Sequence, residues 1–198
     1  MTSRDLVVGD DGLARCPWGG STPDYRDYHD TEWGRPVHGD TAVFERLTLE
    51  AFQSGLSWLT ILRKRPAFRA AFAGFDIPTV AAFGEGDRGR LLADAGIVRN
   101  RAKVDATIAN ARAAQALIAD RGPGALDALL WSFSPPPRPR RRTLADVPVT
   151  TPESTALARE LKRQGFVFVG PTTAYAAMQA MGLVDDHLDG CLVPPATG

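Results

Sequence analysis

LLADAGIVRNRAKV, residues 91–104, is the stretch on which the reading of this chain turns. Leu91 and Leu92 close a short helical run that starts near Asp87, and Gly96 then permits a tight turn. The chain re-enters helix near Arg99, with Arg99, Arg101 and Lys103 in the opening turns. Backbone amides at a helix N-terminus, set beside that much positive charge, suit a phosphate. The pattern predicts a helical hairpin able to hold a nucleic-acid backbone without reading its bases. A purely structural turn fits the same residues.

Outward from the hairpin, the chain reads as helical in both directions. Upstream, Asp40 is placed to cap a helix from Thr41, in which Val43, Phe44, Leu47, Ala51 and Phe52 recur at helical spacing until Gly55. Trp58 to Arg63 reads as a second helix closed by Pro66, Phe68 to Ala73 as a third broken by Gly74, and Ile77 to Phe83 as a short one after Asp76. Downstream, the helix from Arg99 runs to Ala119 and ends at Arg121-Gly122-Pro123-Gly124, and Ala125 to Phe133 follows. SPPPRPRRR, residues 134–142, begins with a proline run that forbids regular helix and reads as an extended, solvated connector. Thr151-Pro152-Glu153 starts the next helix, with Leu157 and Leu161 as its buried stripe and Gly165 at its end. Residues 166–169 are a short apolar run, either a buried connector or a lone strand, and Thr172 to Met181 is helical again. The expected fold class is all-α.

Composition bounds the rest. With 198 residues, 44% hydrophobic and 23% charged, the chain can form one compact domain or two small lobes sharing a cleft. No stretch approaches the run of about 18 apolar residues that a membrane span needs. The first fourteen residues carry Asp5, Asp10 and Asp11 and read as a loose leader, not an export signal. The expected organisation is therefore a disordered leader at 1–14, a single domain at 15–198, and a cytoplasmic location. Cys16 and Cys191 are the two cysteines, and a reducing compartment argues against a disulfide between them. The formal net charge is zero, 23 basic residues against 23 acidic, where nucleic-acid binders more often show a basic excess. Yet the basic residues cluster: Arg63, Lys64, Arg65 and Arg69; Arg99, Arg101 and Lys103; Arg138, Arg140, Arg141 and Arg142. Lysine occurs only at 64, 103 and 162, and arginine's planar fork suits phosphate. Taken singly, each run also reads as a solvated face.

Three further constellations can carry chemistry. In YRDYHDTEWG, residues 25–34, Tyr25, Tyr28 and Trp33 crowd around His29. Such rings can line a slot for a flat cationic base, and they can equally be a satellite core. In LEAFQSGLSW, residues 49–58, Glu50 falls at or near the apolar stripe of its helix, where a carboxylate must find a partner or shift its pKa. In DDHLDGC, residues 185–191, His187 and Cys191 stand four apart, a spacing that can converge on one metal, and Cys16 and His29 lie far away near the other end. A buried free thiol and a surface histidine are the bland alternative.

The order of these stretches is more specific than any one of them. RCPW, YHDTEWG, LEAFQSGLSW, DAGIVRNRAK, LWSF, GFVFVGPTTAYAAMQAMGLVDDH and a final GC, from about Arg15 to Cys191, resemble the 3-methyladenine DNA glycosylase I family. That family is a divergent branch of the helix-hairpin-helix glycosylases, and the resemblance implies two helical lobes around a base-binding cleft. It implies one structural zinc per chain held by Cys16, His29, His187 and Cys191, joining the N- and C-terminal segments. It places Glu50 as the catalytic carboxylate, accepting a hydrogen bond from the base's exocyclic amine. Tyr28 and Trp58 border the base, with Tyr25, Trp18 and Trp33 nearby. Gly55 and Leu56 match the loop that approaches the DNA stack, and Gly96, Arg99, Arg101 and Lys103 the hairpin on the backbone. The implied partner is double-stranded alkylated DNA, with no membrane, no obligate protein partner and a monomeric enzyme. Because methylation at N3 already makes the base a good leaving group, the implied work is to flip and hold it. No lysine is placed for a Schiff base, and Asp120, at a Gly/Pro-bounded helix end, is poorly placed to steady a sugar cation. The chain departs from the family in its longer leader, the triple-proline connector, a tail without extra cysteines, and Phe52 where a second glutamine is usual. Two rival readings are an idle lesion binder, against which Glu50, Tyr28 and Trp58 stand together, and a zinc hydrolase, which four protein ligands would deny an open position.

Overall fold

The computed structural model describes residues 5–195. Helices follow one another as α1 (Pro23–Thr31), α2 (Asp40–Gln53), α3 (Trp58–Ala71), α4 (Ile77–Ala81), α5 (Glu85–Ala93), α6 (Arg101–Arg121), α7 (Ala125–Trp131), α8 (Pro152–Arg163) and α9 (Pro171–Ala180). The longest, α6, packs against α2, α4, α5 and α7, and the small side chains of Ala106, Ala111 and Ala114 let its neighbours come close. α9 lies between α2 and α8. Phe44, Phe52, Phe68, Phe72 and Phe75 are fully buried at the centre, with Phe72 and Phe75 stacked at 5.7 Å. Phe52 meets Phe68 edge-on at 4.7 Å, so the residue that departs from the family pattern is a core aromatic. Among the described residues, no helix is long and apolar enough to cross a membrane.

The helical reading holds with four local corrections. Pro66 does not end a helix, because α3 runs through it. Ile61 and Leu62 before it and Phe68 and Ala71 after it are all buried, and that continuous burial outweighs the proline's missing donor. Asp40 does not cap its own helix, whose N-cap is Gly39. Its carboxylate instead accepts the amides of Gly124, Leu126 and Asp127 at 2.7–3.0 Å, the opening turn of α7. Asp127 in turn accepts the Gly39 amide at 2.8 Å, so the two helix starts cap each other.

The leader is the third correction. Val7–Val8 (β1) pairs antiparallel with Ala14–Arg15 (β2), and the Asp5 carboxylate accepts the Leu144 amide at 3.0 Å. This small hairpin adds a two-stranded sheet to an otherwise helical fold; residues 1–4 of the expected leader lie outside the described residues. The fourth is the connector at 134–142, which is irregular as expected but not a solvated run. Arg138 pairs with Glu153, Arg140 with Asp185 and the carbonyl of Val193, and Arg141 with buried Asp186. Residues 166–169 form no strand: Val167 exchanges two hydrogen bonds with the side chain of Asn110, and the exposed Phe168 sits at φ 61°.

Candidate active site and metal cluster

Four helices and a turn converge on a cavity of about 250 Å³ lined by Trp18, Tyr25, Tyr28, Trp33, Glu50, Gln53, Trp58, Ala176 and Gln179. Tyr25 and Tyr28 on α1, Glu50 and Gln53 on α2, and Ala176 and Gln179 on α9 are each three residues apart, the spacing that puts two side chains on one helix face. Trp58 opens α3, and Trp18 comes from the 3-10 turn Pro17–Gly20. Trp18 meets Trp33 edge-on at 5.0 Å and Tyr25 at 5.6 Å, while Tyr28 and Trp58 lie tilted at 5.4 Å. The Tyr25 hydroxyl accepts the Leu59 amide at 3.0 Å, which pins that wall to α3. The five aromatic residues expected around the base are therefore together.

Three polar groups of this cavity are left open. The Tyr28 hydroxyl and the Trp58 indole N–H are buried with no hydrogen-bond partner among the described residues. Glu50 is buried, has no hydrogen-bond partner there either, and its carboxyl is pushed up to about 8 by burial, with Arg46 opposing the shift. Arg46 stands one turn before Glu50 but points to Glu32, at 2.8 Å, where Arg65 also binds with two bonds of 2.6 and 2.7 Å. Those arginines hold Glu32 at about 2. The same guanidinium of Arg65 lies 5.6 Å from the Tyr28 ring centre. Two carboxylates near one aromatic wall thus have opposite fates. Glu32 is clamped, and Glu50 faces the cavity alone.

Behind the aromatic wall, Cys16, His29, His187 and Cys191 meet, all buried, with their ligand atoms within 4.8 Å of one another. The Cys191 sulfur lies 3.5 Å from His29 Nε2 and 3.7 Å from His187 Nδ1, and the Cys16 sulfur 3.9 Å from His187 Nδ1. The outer ring nitrogens are engaged: His29 Nδ1 donates to Asp30 at 2.7 Å and His187 Nε2 to the carbonyl of Trp33 at 3.0 Å. Both imidazoles therefore aim a lone pair inward, with a carboxylate or a carbonyl behind it. Arg15 in turn holds Asp30 at 2.8 Å. Gly19 makes room for this packing, since a Cβ there would fall 2.6 Å from the His29 ring. The donor set fits a tetrahedral metal: bonds of about 2.0–2.3 Å give donor–donor edges of roughly 3.4–3.8 Å, close to the spacings found.

The hairpin also forms. Gly96 donates to Asp94 at 2.7 Å, and a Cβ there would meet Asp94 and Ala67 at 2.9 and 3.0 Å. Lys64 donates to the carbonyls of Ala95 and Gly96, and Asn100 caps α6 by accepting the Lys103 amide. Arg99 and Arg101 are exposed and make no ion pair among the described residues. Lys103 is the correction. Its ammonium turns inward and donates to the carbonyls of Phe52 and Ser54 at 2.8 and 2.6 Å, so it is not a free cation for phosphate. Those carbonyls close α2, and the loop beyond them carries Gly55 and the exposed Leu56. Lys103 therefore braces the Leu56 loop. Sequence reasoning missed Ala176 and Gln179; the one signal was a glutamine in an otherwise apolar half of α9.

A helical fold that seats an aromatic pocket beside a cation-bearing hairpin belongs with the helical DNA glycosylases. The model of the methyladenine glycosylase family matches residues 18–194, and the chain belongs to that family. It is 45% identical over 185 residues to DNA-3-methyladenine glycosylase 1 of Escherichia coli, covering 92% of this chain and 98% of that one. To the Haemophilus influenzae DNA-3-methyladenine glycosylase it is 43% identical, with 89% and 96% covered. Among solved structures, 3-methyladenine DNA glycosylase I of Staphylococcus aureus superimposes with a TM-score of 0.87 at 34% identity, covering 93% of this chain and 98% of that one. A crystal structure of 3-methyladenine DNA glycosylase I at 45% identity gives 0.85, with 91% and 100% covered.

Proposed function

We propose that this chain is a monofunctional DNA glycosylase that hydrolyses the N-glycosidic bond of 3-methyladenine in alkylated double-stranded DNA. It releases the free base and leaves an abasic site. The observation that carries the reading is the aromatic cavity with one unpaired, buried carboxylate, in a member of this family. A structure of a relative, 33% identical with a TM-score of 0.86 over 93% of this chain and 99% of that one, holds 3-methyladenine.

The chemistry follows from the wall. The N3-methylated base is a cation, and the π faces of Tyr28, Trp58 and Trp18 attract it. A cation beside Glu50 favours its ionised form, so the proton the carboxyl holds at neutral pH leaves as the base enters. Glu50 then accepts a hydrogen bond from the exocyclic amine, and the open donors of Tyr28 and Trp58 meet acceptors on the base. An uncharged normal base cannot drive that ionisation, which favours the damaged one. Water captures the sugar cation left in the DNA. Leu56, at the tip of its loop, fills the stack where the base was, and the amides beyond Gly96 with Arg99 and Arg101 hold backbone phosphates. Cys16, His29, His187 and Cys191 would hold one zinc, whose role with four protein ligands is structural.

The test is release of free base from methylated duplex DNA, separated by chromatography. 3-Methyladenine should appear together with alkali-labile abasic sites. Binding to the same DNA without base release would make the chain an idle lesion binder.

A further inference from the structure

Gln179 lines the cavity from α9, and its Nε2 donates to Asp186 Oδ2 at 2.9 Å. Asp186 is buried and already takes the Tyr175 hydroxyl on Oδ2 and the Arg141 guanidinium on Oδ1. Both its oxygens are therefore accepting. A glutamine amide has one donor end and one acceptor end, and the reverse orientation would set the Gln179 carbonyl oxygen against a carboxylate oxygen. Asp186 thus fixes the amide: the NH2 is turned away to Asp186, and the edge left to the cavity is the carbonyl, which makes no hydrogen bond with the described residues.

We infer that Gln179 is a specificity-determining residue of the base pocket, its carbonyl oxygen accepting an amine hydrogen of a 6-aminopurine and repelling the oxygen of a 6-oxopurine. Asp186, Tyr175 and Arg141 are the positioning residues behind it. The inference rests on the glycosylase reading above and deepens it. Adenine presents an amine donor at position six where guanine presents an acceptor, so a fixed acceptor is the simplest discriminator between them. Glu50 becomes an acceptor only once the cationic base has driven its proton off. Gln179 is held as an acceptor before any base arrives. The arrangement also gives the proline-rich connector a purpose: Arg141 reaches from it to set an amide in the pocket wall.

Single-turnover release of 3-methyladenine and 3-methylguanine from methylated duplex, by wild type and Gln179→Met, tests this. Methionine keeps the length and removes both ends of the amide. Release of 3-methyladenine should fall about tenfold, the worth of one neutral hydrogen bond at the upper end. Release of 3-methylguanine should hold or rise, with a nearly unchanged melting temperature. Equal losses on both bases, or an unchanged ratio, overturn the inference. Asp186→Asn is the second arm. An asparagine can donate to Gln179 and let its amide turn over, so the ratio should move toward 3-methylguanine; a wild-type ratio in folded D186N also overturns it. The wild type supplies a measurement independent of folding and of activity. Quenching of its tryptophan fluorescence should show 3-methyladenine binding at least about tenfold tighter than 3-methylhypoxanthine, the same ring with a 6-oxo group. Equal affinities overturn the inference. A protein that releases neither base from DNA, but whose binding preference is lost in Gln179→Met, would sink the glycosylase reading and leave the assignment of Gln179 standing.

Discussion

The pocket and the Cys/His cluster share a wall and treat polar atoms in opposite ways. On α1, Tyr25 and Tyr28 face the pocket while His29 faces the cluster, and Trp18 touches rings on both sides. In the cluster every outer nitrogen has a partner, and the inner donors crowd one another. In the pocket a hydroxyl, an indole N–H and a carboxyl are buried with none. Saturated polar groups hold a fold together, and unsaturated ones weaken it until something binds. The contrast separates the two jobs: damage to the cluster should appear as lost stability, and damage to the pocket as lost chemistry.

The largest expected effect comes from breaking the cluster. Purified protein should contain one zinc per chain by elemental analysis. Cys191→Ala should lower the melting temperature by roughly 10 °C or more, since several kcal/mol of metal-linked folding energy are at stake and each moves a chain of this size by a few degrees. The protein that stays folded should still release 3-methyladenine. Active wild type without metal would end the zinc assignment.

Glu50→Gln should do the reverse, slowing single-turnover release about a hundredfold while sparing the fold, as loss of a charged hydrogen bond predicts. Its stability should differ from wild type in a pH-dependent way. The folded carboxyl lies at about 8 against an ordinary 4.5, so the folded state binds the proton more tightly and wild type loses stability as pH rises from about 4.5 to about 8. The amide of the E50Q variant has no such proton to lose. Denaturant titrations should show the mutant's advantage growing across that window and levelling above it, and curves that stay parallel would place Glu50 in a solvated setting.

Lys103 and the hairpin arginines sharpen the comparison within one helix. Lys103→Met should cost about 2 kcal/mol of stability, because two carbonyls lose a charged donor, and leave the salt dependence of duplex binding unchanged. Arg101→Ala should do the opposite, reducing that log–log slope by about 1. A salt slope that responds to Lys103 would return it to the DNA surface. The smallest effect belongs to Asp40→Ala, which should lower stability by about 1–2 kcal/mol through the start of α7, with base release intact.

What could be read from sequence was whatever lies along one helix. The hairpin, Glu50 near its apolar stripe and the Thr151 cap follow from spacing and local chemistry, and each is in place. What failed was the direction of a group toward a distant segment. Asp40 looks like a cap for its own helix and serves α7; Pro66 looks like a stop until both sides of it are buried. The charge of Lys103 says nothing of whether it points out to phosphate or in to α2, and Gln179 acquires its meaning only from Asp186 and Arg141. Of the cluster, spacing suggested only His187 with Cys191; Cys16 and His29 joined them through family resemblance, since no local spacing links Cys16 to Cys191.

That last separation bears on how the protein is made. The two sulfurs stand at positions 16 and 191, so a ribosome must pass residue 191 before the four side chains can meet. Helices α2 to α7 can collapse on the aromatic core earlier, because domains fold from the N-terminal side during synthesis. Until then Cys16 and His29 wait as half a cluster. A message broken off before codon 187 would yield a protein with a packed centre and an unclasped rim, a natural mark for a protease.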